Sequence, residues 1–181
     1  MVEGALLFAP LFLGLLFHGL SMRFGWLRGL ARPVDGGRTW RGRRWFGENK
    51  TWRGLVAVAL GTGAGYALLA GNDRVGPLLG SPAAALLLGL GVGAGAMAAE
   101  LPNSALKRQL GVAPGTQATG WRGALFHMLD QVDMLVGGWL VLALVVPLTA
   151  GRWLGSFIFF YVGHQLATLT GYALGLRRTA R

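Results

Sequence analysis

Three of the chain's seven acidic residues, Glu100, Asp130 and Asp133, lie in one short stretch, together with Asn103, Ser104, Lys107 and Arg108. If 100–110 is helical, Glu100, Ser104, Lys107 and Arg108 stand at i, i+4, i+7 and i+8 and share a face. Asp130 and Asp133 are one helical turn apart and can point the same way, and His127 can join them. Two carboxylates at that spacing suit Mg²⁺, which takes one or two carboxylates plus substrate phosphates. A Lys-Arg pair suits phosphate oxygens, and Ser104 and Asn103 can add hydrogen bonds. Together these groups point to nucleotide or phosphoryl chemistry, where catalysis is mainly positioning and charge neutralisation. The Asp-x-x-Asp spacing alone fits equally a carboxylate pair near a helix start.

The elements that position these residues read as membrane spans. Of 181 residues, 53% are hydrophobic and only 13% charged, too few charges to cover a soluble domain of this size. The expected fold is all-α, a single transmembrane domain over 1–181 with about five spans at 4–22, 55–71, 83–101, 134–150 and 153–175. The first run reads as a span rather than a cleaved signal, since no basic region precedes it. The connecting polar segments are 23–53 and 102–132. With the C-terminal tail they carry fifteen of the seventeen Lys and Arg residues. The positive-inside rule then places the N-terminus outside and both polar loops and the C-terminus in the cytoplasm. This expectation is a multi-pass protein of the cell membrane with its active site on the cytoplasmic face. The formal net charge of +10 is spread between apolar runs, as in membrane loops, and so argues against a nucleic-acid partner. With no cysteine there is neither a disulfide framework nor a thiolate metal site. Gly61, Gly63 and Gly65, and Gly89, Gly91, Gly93 and Gly95, permit close helix contact within the chain or across a homodimer.

The first loop contains Asp35-Gly36-Gly37-Arg38, a turn signal, and Gly42-Arg43-Arg44 followed by Gly47-x-Asn49-Lys50-Thr51-Trp52-Arg53-Gly54. Glycines let backbone N–H groups approach an anion while Lys and Arg supply charge. The Walker A spacing is absent. Lys50 and Lys107 are the only two lysines in an arginine-rich chain, and each falls inside a candidate motif. By composition alone this loop also fits a positive-inside segment with interfacial Trp anchors.

These pieces, with Ser104-x-x-Lys107-Arg108, Asp130-Gln131-x-Asp133, His164 and Tyr172-x-Leu174-Gly175-Leu176, occur in an order that resembles the CDP-archaeol synthase family. That family is a branch of the membrane CTP-transferases related to phosphatidate cytidylyltransferases. The resemblance covers most of the chain. It implies that a lipid phosphate oxygen attacks the α-phosphorus of CTP, pyrophosphate leaves, and a CDP-lipid for phospholipid biosynthesis remains, with Mg²⁺ required. The partners implied are CTP, membrane lipids and a lipid phosphate, either phosphatidic acid or an ether-linked isoprenoid analogue. By the same resemblance Asp130 and Asp133 hold the metal, and Lys107 and Arg108 bind triphosphate as catalytic groups. Ser104 and Asn103 lend hydrogen bonds, and Asn49, Lys50, Thr51 and Arg53 close over nucleotide or lipid phosphate. Glu100 stands where the family usually has Asp and is the third candidate metal contact. Ala105 replaces a common Phe, and His18 and Ser21 replace the polar Pro/Asn pattern of the first span.

A non-enzymatic transporter or anionic-lipid scaffold is the alternative, resting on the basic first loop and the Gly-rich spans. A CDP-alcohol phosphotransferase is disfavoured, because its D-x-x-D-G-x-x-A-R pattern is not found at Asp130.

Overall fold

The computed structural model describes residues 1–116 and 118–173. The Leu174-Gly175-Leu176 part of the closing motif and the tail arginines Arg177, Arg178 and Arg181 lie outside the described residues. Among the described residues six α-helices carry the fold: α1 Val2–Arg23, α2 Trp52–Leu69, the single turn α3 Gly76–Leu79, α4 Pro82–Gln109, α5 Gly120–Leu142 and α6 Ala150–Ala173. A two-stranded hairpin, β1 Thr39–Trp40 and β2 Arg43–Arg44, projects from the first loop. Of the described helices, α1, α2, α4 and α5 are long and apolar enough to cross a membrane. Helix α6 occupies the place expected for a fifth span.

The helix ends follow local chemistry. Thr51 caps α2, its hydroxyl accepting from the Gly54 N–H at 3.2 Å. Ser81 caps α4 in the same way through Ala84, and Pro82 fills the first turn, where no N–H partner is needed. Helix α4 then runs for 28 residues. At 1.5 Å per residue it is about 42 Å long, more than a hydrocarbon core of about 30 Å. Its last turns therefore carry Glu100 to Arg108 toward the polar loops. Pro102 lies inside this helix rather than starting a new one.

Helix α5 begins well before the span expected at 134–150 and ends at Leu142, short of that span's expected end. Asp130 and Asp133 therefore sit in the middle of a helix, not ahead of one. The polar residues of 127–133 do not interrupt it; among them Asp130 and Asp133 find partners in Asn103 and Lys107 of α4. Pro147 lies in the turn that follows.

In space the helices stand in the order α6, α1, α2, α4, α5, each packed on the next, with α5 and α6 touching more sparsely. Glycine makes this spacing possible. A Cβ on Gly93 of α4 would lie 2.8 Å from the Ala59 backbone of α2, and one on Gly95 would lie 2.7 Å from the Gly137 carbonyl of α5. These stripes are thus used within one chain. The core beneath them centres on Leu7, Phe8, Tyr66, Val92, Trp139 and Phe160. Two of its polar groups bond across helices, the Tyr66 hydroxyl donating to the Leu7 carbonyl at 2.7 Å and the Trp139 indole N–H to Ser156 at 2.8 Å. Leu68, Leu87, Leu140 and Leu144 point outward, as an apolar solvent requires.

Candidate active site

The end of α4, the middle of α5 and the first loop enclose a cavity of about 570 Å³. Of the residues singled out in the sequence, Asn49, Lys50, Glu100, Ser104, Lys107, Arg108, His127, Asp130, Asp133 and His164 line it. Asn103, Thr51 and Arg53 do not. Asn103 is buried directly behind the carboxylates, Thr51 is the cap of α2, and Arg53 lies in the first turn of α2. Residues without an assigned role complete the wall: Phe46, the Pro114–Thr116 connector, Gln131, Met134 and Gln165. No sequence signal marked the connector, which reads only as a break after α4.

The two aspartates converge. The Asn103 amide donates to Asp130 Oδ1 at 2.7 Å and to Asp133 Oδ2 at 3.1 Å. Lys107 Nζ donates to both Asp130 oxygens, at 2.6 Å to Oδ2. Asp133 Oδ1 also accepts from the Met134 N–H at 2.7 Å. Glu100 is engaged elsewhere, with the Lys50 ammonium. Among the described residues no three His, Cys, Asp or Glu side chains form a metal cluster. The three-carboxylate set expected from the sequence is therefore not drawn together; a two-carboxylate set is. That pair fits Mg²⁺: two anionic oxygens converge on one amide donor, and Mg²⁺ commonly takes two carboxylates and fills its remaining positions with phosphate and water.

Arg108 is the exception to the pairing. It is buried, its Nε and Nη1 have no hydrogen-bond partner, and it makes no ion pair among the described residues. Leaving a buried charge uncompensated is costly, by several kcal/mol. A guanidinium held in this way beside Lys107 is prepared for an anion with several oxygens.

The cavity wall carries three cations, Lys50, Lys107 and Arg108, and three carboxylates, Glu100, Asp130 and Asp133. It therefore has no surplus of positive charge. A triphosphate can settle there only with a cation that offsets its own charge, which is the physical reason to expect a divalent metal.

The first loop is shaped by Asp35, whose side chain is 1% exposed. One oxygen accepts from the Gly37 N–H at 2.9 Å and from Arg44; the other accepts from Phe46 and Gly47 at 3.2 and 3.1 Å. The loop is tied down at its base by the Val34 N–H to the Lys50 carbonyl at 2.7 Å and clasps the end of α4 through Arg43 and the Gln109 carbonyl. Phe46, Asn49 and Lys50 reach the cavity from this frame.

Burial pushes the Asp35 carboxyl upward, but Arg44 and the three backbone N–H groups outweigh it and hold it at about 2. Since that lies below the unfolded value of about 3.9, the contribution to stability is fully present above it. It is lost only as pH falls through about 2. Near-ultraviolet circular dichroism from the stacked Trp40–Trp45 pair of the hairpin should stay flat from neutral pH to about pH 4 and fade below that. A loss of signal centred near pH 5 would show that Asp35 does not hold the loop.

Comparison with known proteins gives one consistent result. The profile of the CarS-like family, described as CDP-archaeol synthase, matches residues 5–180. A CDP-archaeol synthase of Halobacterium salinarum is 36% identical over 168 residues, covering 83% of this chain and 84% of its own. Those of Methanosarcina barkeri and Thermococcus onnurineus are 31% and 35% identical, covering 88% and 82% of this chain and 95% and 82% of theirs. A solved structure described as an intramembrane enzyme for archaeal membrane lipids biosynthesis superposes with a TM-score of 0.68 at 25% identity, over 93% of this chain and 94% of that one.

Proposed function

The chain belongs to the CDP-archaeol synthase family, and from that premise we propose how its own residues carry out the family's reaction. It is a multi-pass membrane enzyme, a CTP-dependent cytidylyltransferase that makes a CDP-lipid for membrane lipid biosynthesis. Its substrates are CTP and a lipid phosphate.

The observation that carries the residue assignment is the cavity wall, in which a buried Arg108, unpaired among the described residues, stands beside Lys107 and two converging carboxylates. Arg108 and Lys107 take the triphosphate oxygens and Ser104 adds a hydrogen bond. Asp130 and Asp133 would hold Mg²⁺, which would supply charge neutralisation for the phosphates and the departing pyrophosphate. Lys107 releases Asp130 as the substrate arrives, so each partner of that ion pair gains a new one. Asn103 keeps the two carboxylates in register. Asn49 and Lys50 close from the first loop, with Thr51 setting the start of α2 behind them. The acceptor needs no general base, because a phosphate monoester is already largely dianionic at neutral pH. One of its oxygens bonds to the α-phosphorus, and the bond from that phosphorus to the β-phosphate bridging oxygen breaks.

The reaction is tested with CTP labelled at either end. Label at the α-phosphate should appear in a lipid-extractable product and label at the γ-phosphate only in pyrophosphate. Transfer of γ-label to lipid would reveal a kinase instead.

The topology proposed is five spans, with α6 as the fifth, the N-terminus outside and the cavity at the cytoplasmic face of the cell membrane. The charge asymmetry of the loops supports it. Because the chain has no cysteine, single cysteines at positions 38 and 73 report sidedness cleanly. Position 73 should react with an impermeant thiol reagent from outside and position 38 only after lysis; the reverse pattern would invert the topology.

A further inference from the structure

We infer that His18, Lys50 and Arg53 form a second anion subsite, on the α1–α2 side of Glu100, that receives the phosphate of the lipid acceptor; this rests on the cytidylyltransferase reading above. His18 lies in α1 some five residues before its end, inside an apolar helix where a polar ring is out of pattern. Its imidazole packs over Gly54: a Cβ built there would lie 3.4 Å from both Cε1 and Nε2. The charged groups facing it are Arg53, Glu100 and Lys50. Two nitrogens in this cluster, His18 Nδ1 and Arg53 Nε, are buried without a hydrogen-bond partner among the described residues. Such groups are rarely left unsatisfied in a folded protein.

The cluster already holds an anion. Glu100 is paired with Lys50 beside the first turn of α2, whose N-terminus adds a partial positive charge. One carboxylate occupies the lysine and leaves the other two nitrogens unmet. A phosphate monoester presents three oxygens and can engage all three side chains where the carboxylate engages one.

The position fits the chemistry of the acceptor. His18 and Arg53 do not line the large cavity, which ends on Lys50 and Glu100. The Lys50–Glu100 pair therefore separates the triphosphate side from the His18 side. Phosphoryl transfer needs the attacking and leaving oxygens roughly in line across the α-phosphorus. A nucleophile arriving past Lys50 approaches opposite the groups assigned to the leaving pyrophosphate. Because His18 belongs to a membrane-spanning helix, a phosphate held there belongs to a lipid whose chains stay in the bilayer.

The test uses the full chain in detergent micelles with a dialkylglycerol phosphate as probe. The same dialkylglycerol without phosphate, and inorganic phosphate, serve as comparators. In His18→Ala the KM for the lipid phosphate should rise about tenfold or more, the loss of one good hydrogen bond to a charged group. CTP affinity by equilibrium dialysis should stay within about twofold, and kcat should change less than KM. His18→Gln, which keeps an amide donor, should recover most of the loss and carries the test if the alanine variant does not fold. Without CTP, the dialkylglycerol phosphate should raise the Tm of wild type but not of His18→Ala. The phosphate-free lipid should not, and inorganic phosphate should do so only at far higher concentration. An unchanged lipid KM in both variants overturns the subsite while leaving the enzyme assignment intact. So does a CTP affinity that falls in step with lipid KM. Wild type that folds but binds no CTP overturns the cytidylyltransferase reading itself, and the subsite with it.

Discussion

Asp133→Asn should reduce pyrophosphate release from CTP by about a thousandfold or more, the scale expected when a group neutralising transition-state charge is lost. The substitution keeps the shape of the side chain. It also keeps an acceptor oxygen for the Met134 N–H or the Asn103 amide, which Asp133 serves at 2.7 and 3.1 Å. Packing of α4 on α5 should therefore survive, and the thermal midpoint should move little. What is removed is one of the two converging negative charges. The cavity wall then carries three cations against two carboxylates. Free CTP should bind at least as well as before, while its dependence on Mg²⁺ is lost. That combination, retained nucleotide binding with chemistry abolished, separates a metal-holding role from a structural one. Asp130→Asn should behave similarly, with an added loosening of Lys107, whose ammonium sits 2.6 Å from Asp130 Oδ2. If Asp133→Asn kept more than about a tenth of the rate with its Mg²⁺ dependence unchanged, the carboxylate pair would not be the metal site.

The second large effect is at Arg108. Replacing it with Ala should weaken CTP binding and lower kcat/KM by about 10²- to 10³-fold, as for other preorganised donors to a phosphate or oxyanion. Its stability effect should have the opposite sign to that of most buried substitutions. A buried guanidinium whose Nε and Nη1 find no partner among the described residues is a cost to the folded state, so apo Arg108→Ala should melt no lower than wild type, or higher. Wild type should regain the advantage when CTP and Mg²⁺ are present. Arg108→Lys keeps the charge but loses the planar fork, and should recover only part of the activity. Equal losses of stability in the apo and CTP-bound states would mean that Arg108 is a packing residue.

The pairing at the site was only partly legible in the sequence. Asp130, Asp133, Lys107 and Arg108 stood out because charges are costly beside apolar runs, and all four do line one cavity. The partner of Glu100 did not stand out. Lys50 lies fifty positions away, on a loop whose path over α4 no local pattern specifies. Reading Glu100 as a third metal contact followed from the resemblance, in which it stands where the family usually has Asp, whereas the folded loop brings it an ammonium. Asp35 read only as part of a turn. Its carboxylate in fact gathers N–H groups from Phe46 and Gly47, eleven and twelve residues onward, a contact that exists only once the hairpin has formed.

Helix boundaries show the same division. The caps Thr51 and Ser81 and the N1 proline at position 82 mark their helices locally. The start of α5 does not follow from hydropathy, because His127, Asp130, Gln131 and Asp133 lower the apolarity of the very turns that are helical. The two carboxylates are tolerated because Asn103 and Lys107 of α4 meet them. Likewise Arg53, read as a substrate contact, lies off the main cavity beside His18, a neighbour on another helix.

The most direct test of the whole account is pyrophosphate release by the detergent-purified full chain, supplied with CTP, Mg²⁺ and a lipid phosphate, with each component omitted in turn. The account predicts release only when all three are present, in step with the appearance of a CDP-lipid. Release from CTP and Mg²⁺ without lipid phosphate, or none from folded protein that binds CTP across ether- and ester-linked lipid phosphates, would contradict it.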